Sequence, residues 1–219
     1  MIEPDDQTPR SVWRWPPPLS LLWLVLPVVG ITLRVGVAPV APHDYWWHLA
    51  FGRLIAETGS IPSANLFLYT LPADAAFLDQ PWLAQWLLYR LVDQFGHTGP
   101  YVVRAGLTAA VWAGLIWAAR RRCRDSRVVG AVALVAVVAS AGVFSIRSRL
   151  FALPLYAATV TIVLEVADRR LDARYLLGLG PIVVLWANLH GSFVLASVLA
   201  GVAGLGDAVD AYLGRGQRE

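Results

Sequence analysis

The chain has 219 residues, of which 57% are apolar and 15% charged, with a mean hydropathy of +0.56 and a formal net charge of +3. Leu, Val and Ala at this density, with the charges clustered between apolar runs, exclude an ordinary water-soluble domain and describe a polytopic helical membrane protein. All 18 strong bases are arginine, so arginine alone carries the topology signal.

Residues 1–18 read as a cytoplasmic tail holding Arg10 and Arg14. The first apolar run, Leu19 to Val37, is long enough to cross a bilayer. It exceeds the apolar core of a signal peptide, and the small residues a peptidase would need, Ala38 and Ala41, each precede a proline. It is therefore expected to stay as an anchor.

The loop from Pro39 to Pro100 is too long for a simple connection, and loops of that size carry structure or function. A helix is predicted from Tyr45 to Thr58, where Tyr45, Leu49, Gly52 and Ala56 recur at helical spacing and Gly59 supplies the stop. A second is predicted from Pro81 to Phe95, with Trp82, Trp86 and Tyr89 on one face, Asp79 as its cap and Gly96 at its end. Both are rich in Trp and Tyr, as expected of amphipathic helices lying along a membrane interface.

Five further spans follow: Tyr101 to Ala119, Val128 to Ile146, Leu150 to Ala167, Tyr175 to Leu189 and Phe193 to Leu213. The stretches Gly130 to Phe144 and Pro181 to Trp186 have no polar face, which a soluble helix would need. The segment from Tyr175 is the shortest and contains Gly178, Gly180 and Pro181, so it is expected to be kinked, tilted, or to begin inside the preceding loop. The predicted fold class is thus all-α, a polytopic transmembrane helical bundle of about six spans, with a long outer loop (39–100) carrying two interfacial helices. Residues 19–213 form one transmembrane domain and residues 214–219 a second cytoplasmic tail.

If six spans alternate, Arg10, Arg14, Arg120, Arg121, Arg122, Arg124, Arg127, Arg169, Arg170, Arg174, Arg215 and Arg218 share one side, against Arg53, Arg90, Arg147 and Arg149 on the other. The positive-inside rule then puts both termini in the cytoplasm of a multi-pass cell-membrane protein and the long loop outside. Beside two spans, the Arg120 to Arg127 run is a topology signal that meets anionic membrane lipids, and no nucleic-acid partner is expected. Cys123, the single cysteine, has no partner for a disulfide.

Just past the first span stands His43-Asp44-Tyr45-Trp46-Trp47-His48. Ionisable groups where membrane meets water carry a desolvation cost, so they are candidates for a site. Asp44 and His48 lie one helical turn apart. That spacing admits a shared metal ion, a carboxylate–imidazole pair or a common substrate contact, and equally a bare N-cap at Asp44 with His48 as an interfacial polar tip. Trp46 and Trp47 suit interface anchors or sugar-stacking platforms.

Two short outward turns place more polar groups at the same depth: Arg147 and Arg149 in one, Asn188 and His190 in the other. Two arginines on the arginine-poor side fit a bound phosphate or pyrophosphate, whose geometry guanidinium matches. They also suit snorkelling to headgroups, or pairing with Asp79 or Asp93. Asn188 and His190 have the alternative of capping a helix or bonding between helices.

The run DYWWHLAFGRLIAETGSIP, Asp44 to Pro62, resembles the pattern in membrane-embedded GT-C glycosyltransferases such as catalytic oligosaccharyltransferase subunits. FLYT (Phe67 to Thr70), PWLAQW (Pro81 to Trp86) and WANLHGSF (Trp186 to Phe193) are similar to segments of a bacterial GT-C-like group. The resemblance covers Asp44 to Gly201. It implies sugar transfer from a polyprenyl-phosphate carrier to an acceptor at the outer face, with Asp44 as catalytic carboxylate, directly or through a divalent cation such as Mg or Mn, and His48 assisting. His43, Arg147, Arg149, Asn188 and His190 would bind the donor, together with Trp82 and Gln85 of the second loop helix. GT-C enzymes usually have more spans and some carry a second outer acidic motif, which is not evident among Asp74, Asp79 and Asp93; a partner subunit supplying missing spans is one expectation. The competing class is a non-catalytic carrier-binding subunit, a transporter half or an inactive fragment, but transport predicts polar or broken-helix residues at the bilayer midplane, where the spans show few, Thr108, Thr159 and Thr161 being mild and Glu165 lying near a cytoplasmic end.

Overall fold

The structure is a computed structural model that describes residues 19–40, 42–64, 66, 70, 72 and 74–214, with backbone only at Pro42, His43 and Ala141. Within these residues the chain is helical: α1 (Leu19–Val37), α2 (Pro42–Thr58), α3 (Trp82–Phe95), α4 (Thr98–Arg122), α5 (Ser126–Ser140), α6 (Ser148–Ala167), α7 (Leu179–Leu189) and α8 (Val194–Tyr212). Single 3-10 turns at Ala141–Phe144, Ala173–Gly178 and Gly191–Phe193 join the later helices. The described residues form no β-strand, only one isolated bridge between Ala64 and Ala76. Phe67, Leu68 and Tyr69 of the FLYT run, and the terminal arginines Arg10, Arg14, Arg215 and Arg218, lie outside the described residues.

Four helical segments are long and apolar enough to cross a membrane: Leu19–Val37, Thr98–Arg122, Ser148–Ala167 and Gly191–Tyr212. The two other expected spans are shorter as helices, Ser126–Ser140 and Ala173–Leu189. Each is interrupted by, or begins in, a 3-10 turn, and at the second of these the glycine and proline content accounts for the break.

The core begins where α1, α4, α5 and α6 meet. Ile31 and Val35 of α1 pack with Val111 and Trp112 of α4, Val137 of α5, and Leu150 and Ala157 of α6. Gly130 lets α5 approach the α1 backbone, since a Cβ there would overlap the Trp23 carbonyl oxygen. On the far side, Ala152 of α6, Trp186 of α7 and Ala196 of α8 form a smaller cluster. Glu165, 3% exposed near the end of α6, is paired with Arg122 at 3.1 Å and Arg121 at 3.4 Å, which ties the base of α4 to α6.

Arginine also finishes α1. Arg104, only 2% exposed on α4, donates to the carbonyl of Ala38 at 2.7 Å and reaches that of Gly36 at 3.5 Å. The last carbonyls of a helix have no intrahelical partner, so this guanidinium acts as a cap supplied by a neighbouring helix. Arg104→Leu should leave a half-buried carbonyl without its partner and destabilise the protein by about 1 kcal/mol. Thermal unfolding in detergent reads this; a midpoint equal to wild type would mean that the cap contributes nothing.

The long loop differs in detail from the sequence expectation. Pro42 is the first residue of α2, so Asp44 lies in its first turn rather than ahead of it. Proline at the first helical position loses only an N–H that has no partner there anyway. Helix α3 has no side-chain cap; Asp79 instead accepts a hydrogen bond from Gln85 Nε2 at 2.8 Å, and both residues are buried. Burial pushes the Asp79 carboxyl above its ordinary range, partly opposed by the Gln85 bond. The two loop helices pack against each other, with Gly52 of α2 seated on the Gln85 carbonyl of α3. The pair sits on the bundle through Tyr45, Leu88 and Ile146, with Tyr101 and Phe151 packed around them.

Candidate functional site

Because Tyr45 packs on Ile146, the first turn of α2 lies beside the turn joining α5 to α6. Arg147 Nη1 stands 3.2 Å from Asp44 Oδ2. Two residues on, Arg149 uses Nη2 to hold the Gly142 carbonyl and the Ser145 hydroxyl, each at 2.9 Å. The expected carboxylate partners for these arginines are engaged elsewhere: Asp79 bonds Gln85, and Asp93 pairs with Arg90 at 3.3 Å.

His48, 8% exposed, follows Asp44 by one turn. Burial holds its pKa below the usual 6.5; the Asp44 charge opposes this, while Arg147 and His190 add to it. His190, in the turn between α7 and α8, is likewise lowered by burial and by Arg149. Charge coupling therefore links His48 to Asp44, Arg147 and His190, and Arg149 to Arg147, Asp44 and His190, across three separate chain segments. The N-cap role for Asp44 does not apply, since α2 starts two residues earlier.

Three nitrogens of this cluster, Arg147 Nε, Arg149 Nε and His48 Nδ1, are buried without a hydrogen-bond partner among the described residues. Buried polar groups are nearly always paired, so the two arginine Nε atoms mark a place where an acceptor belongs, while His48 Nδ1 takes a donor or an acceptor according to its tautomer. One carboxylate against two guanidiniums also leaves the cluster positive. The Asp44–Arg147 pair itself is weak: the two side chains are 51% and 28% exposed, and such half-exposed pairs contribute at most about 1 kcal/mol. An incoming anion can therefore take Arg147 at small cost.

The other candidates are spent on scaffolding. Trp82 Nε1 donates to Asn188 Oδ1 at 2.7 Å, and Asn188 Nδ2 donates to the Val184 carbonyl at 2.7 Å. Gln80 donates to the Ala187 carbonyl, a second pin between the loop and α7. Gln85 is 1% exposed and bonded to Asp79, which takes it away from any ligand surface. Trp82, Gln80 and Asn188 thus fix the turn that carries His190, while Gln85 serves Asp79. The His43 side chain lies outside the described residues, although its backbone belongs to the first turn of α2. Trp46 is 59% exposed, edge-on to the Tyr45 and His97 rings, whereas Trp47 packs near Phe51.

A cavity of about 200 Å³ adjoins the cluster, lined by Arg149, His190 and Ser192 and by the apolar or aromatic side chains of Leu153, Tyr156 and Leu195 among others. Polar groups on a largely apolar wall suit an amphiphile. For a divalent cation the donor set is thin. No group of three or more His, Cys, Asp or Glu gathers among the described residues, and the one carboxylate faces a guanidinium. Sequence reading missed Arg104, Tyr45 bonded to His97, and Ser192; only Ser192 left a signal, as the second residue after a histidine in a tight turn.

Lowered histidine pKa values have a signed consequence. A group whose folded pKa lies below 6.5 binds fewer protons folded than unfolded, so stability is full above 6.5 and lost as pH falls through the folded value. Hydrogen exchange in α2 and the 186–193 turn, taken relative to the intrinsic amide rate, which itself slows as pH falls, should therefore quicken between pH 6.5 and 5, more than in α5. Uniform quickening, or none, would show that His48 and His190 are not protonated at a cost.

The described residues define the class: an all-helical protein with four helices of membrane-crossing length and a cationic cluster where α2 meets the turns on either side of the α6–α7 pair. No family model, curated protein or solved structure matches the chain.

Proposed function

We propose that this protein is a multi-pass membrane glycosyltransferase of the GT-C type that moves a sugar from a polyprenyl-phosphate carrier to an acceptor at the outer face. The observation that carries this reading is the 3.2 Å pairing of Asp44 with Arg147 beside Arg149. The carrier phosphate takes Arg147, and the carboxylate is released from its ion pair. Asp44 then accepts the proton of the acceptor hydroxyl, whose oxygen bonds to the sugar's anomeric carbon as the bond from that carbon to the phosphate oxygen breaks. The phosphate leaves with the electron pair, and the guanidiniums stabilise the charge that develops. The apolar wall of the cavity by Arg149 accommodates the start of the prenyl tail. A divalent cation is not needed for any of these steps.

The proposal includes six spans with both termini cytoplasmic and the 39–100 loop outside. The 15 residues of α5 and the 4 of the turn after it supply about 30 Å if collinear, and residues 173–189 supply nearly as much, which approaches the thickness of a hydrocarbon core. Both outward turns then lie at the depth of Asp44, and the arginine clusters lie inside.

Purified protein in liposomes, given radiolabelled polyprenyl-phosphate sugars and a pool of acceptors, tests the reading. Labelled, water-soluble or protein-bound product supports it. Donor binding without transfer would reassign the protein as a carrier-binding subunit, and absence of donor binding would remove the reading altogether.

A further inference from the structure

The turn between α7 and α8 carries a hydrogen-bond chain that the proposed chemistry leaves unused. Trp186 Nε1 lies 3.1 Å from Ser192 Oγ, that hydroxyl lies 2.7 Å from His190 Nδ1, and the Ser192 backbone N–H donates to the same Nδ1 at 3.1 Å. The donor and acceptor in each bond follow from the groups themselves. An indole N–H only donates, so Ser192 Oγ accepts from it and has its own proton to place elsewhere. A backbone N–H only donates, so His190 Nδ1 must offer a lone pair. With Nδ1 accepting from both Ser192 groups, the ring's single proton resides on Nε2. An imidazolium would set N–H against N–H and break the chain.

We propose that Ser192 and Trp186 are positioning residues that lock His190 as the neutral Nε2–H tautomer, making it a fixed hydrogen-bond donor to an anionic ligand beside Arg149. Trp186 is 1% exposed, so the donor at the head of the chain is anchored in the core formed with Ala152 and Ala196. His190, Ser192 and Arg149 line one cavity, so a single ligand filling it meets both the histidine and the arginine. Arg149 is the charged group that faces His190 from α6, and His48 of α2 is the other titratable group coupled to it. A third positive charge here would be repelled by Arg147 and Arg149. A neutral N–H gives direction without that cost, and the side-chain lock spares the entropy of orienting the ring on binding. The ligand half of this inference rests on the cluster being an anion site; the tautomer half rests on the hydrogen bonds alone.

The chain has only 4 histidines, so protein labelled with 15N in histidine yields few ring signals, and a His190→Gln sample assigns the relevant pair. At pH 7 in detergent, His190 is expected to show an unprotonated Nδ1 and a protonated Nε2. Ser192→Ala keeps the backbone N–H donor but removes the hydroxyl, so it should shift the Nδ1 resonance and raise the pH at which the ring charges, while Ser192→Thr, which keeps the hydroxyl, should restore the wild-type signals. A wild-type Nδ1–H form, a charged ring at pH 7, or Ser192→Ala signals identical to wild type would overturn the lock. Titration with polyprenyl phosphate should then move the Nε2 resonance. An unmoved Nε2 while the phosphate still binds would overturn the donor role alone, and absence of phosphate binding would overturn the anion site, the lock standing in either case.

Discussion

Asp44→Asn is expected to lower sugar transfer by on the order of 10²–10⁴-fold while donor binding stays within a few-fold of wild type. The amide keeps the size and hydrogen-bonding shape of the carboxylate but cannot accept the acceptor's proton. It also releases Arg147 from its 3.2 Å partner, so the guanidinium becomes more available to the carrier phosphate. Retained or tighter donor binding with lost turnover is therefore the signature of a base at position 44. Arg147→Gln should show the opposite division, with weakened donor binding. Loss of both properties in Asp44→Asn would point to a structural ion pair, but that outcome is at odds with a half-exposed pair contributing at most about 1 kcal/mol. Equal transfer by Asp44→Asn and wild type would remove Asp44 from the chemistry. Because the 15N signals of His190 depend on Ser192 and Trp186 rather than on Asp44, they serve as a check that the Asn variant keeps the site folded.

How this site was visible in advance depends on the residue. Arg147 and Asp44 are over 100 positions apart in the chain, yet hydropathy alone brings them to one depth: if every outward turn but one is short, polar residues in those turns lie at one surface. Which arginine takes the carboxylate is a matter of packing, set by Tyr45 on Ile146, and no periodicity encodes that. The boundaries of α1 coincide with the apolar run because length and the following Ala38-Pro39 both end it. The start of α2 was legible but misplaced, since Pro42 at a first helical position is itself a start signal. Arg104 was illegible. Inside an apolar run an arginine reads as an anomaly, and only the tertiary fold reveals that the unpaired carbonyls of α1 are what it satisfies. Asp79 shows the same limit: a carboxylate just before a helix suits a cap, but burial beside Gln85 gives it a different partner.

Gly52→Val should have the largest effect on the protein as a whole. Helices α2 and α3 cross where Gly52 meets Gln85, and a Cβ at position 52 would overlap the Gln85 carbonyl oxygen, with the carbonyl carbon at 2.7 Å and Tyr89 Cβ at 2.8 Å. Two of these three atoms are backbone, so no rotamer change relieves the clash; the helices must separate. Forced overpacking in a well-filled core typically costs about 1–3 kcal/mol, and here the cost is compounded by the groups that separation would expose. Asp79 and Gln85 lie in the same hairpin, with Asp79 Oδ2 and Gln85 Oε1 already buried without partners among the described residues, so the hairpin has little margin. Since α2 carries Asp44 and His48 while the residues around α3 pin the 186–193 turn through Gln80 and Trp82, opening the crossing should pull both sides of the site apart. Gly52→Val should therefore lose transfer and donor binding together and unfold at a lower temperature in detergent. Gly106→Ala is the matched control, because nothing lies within 4 Å of a Cβ there and alanine favours a helix interior over glycine by up to about 1 kcal/mol. If Gly52→Val unfolds no earlier than Gly106→Ala, the close crossing of α2 and α3 is not what holds the two halves of the site together.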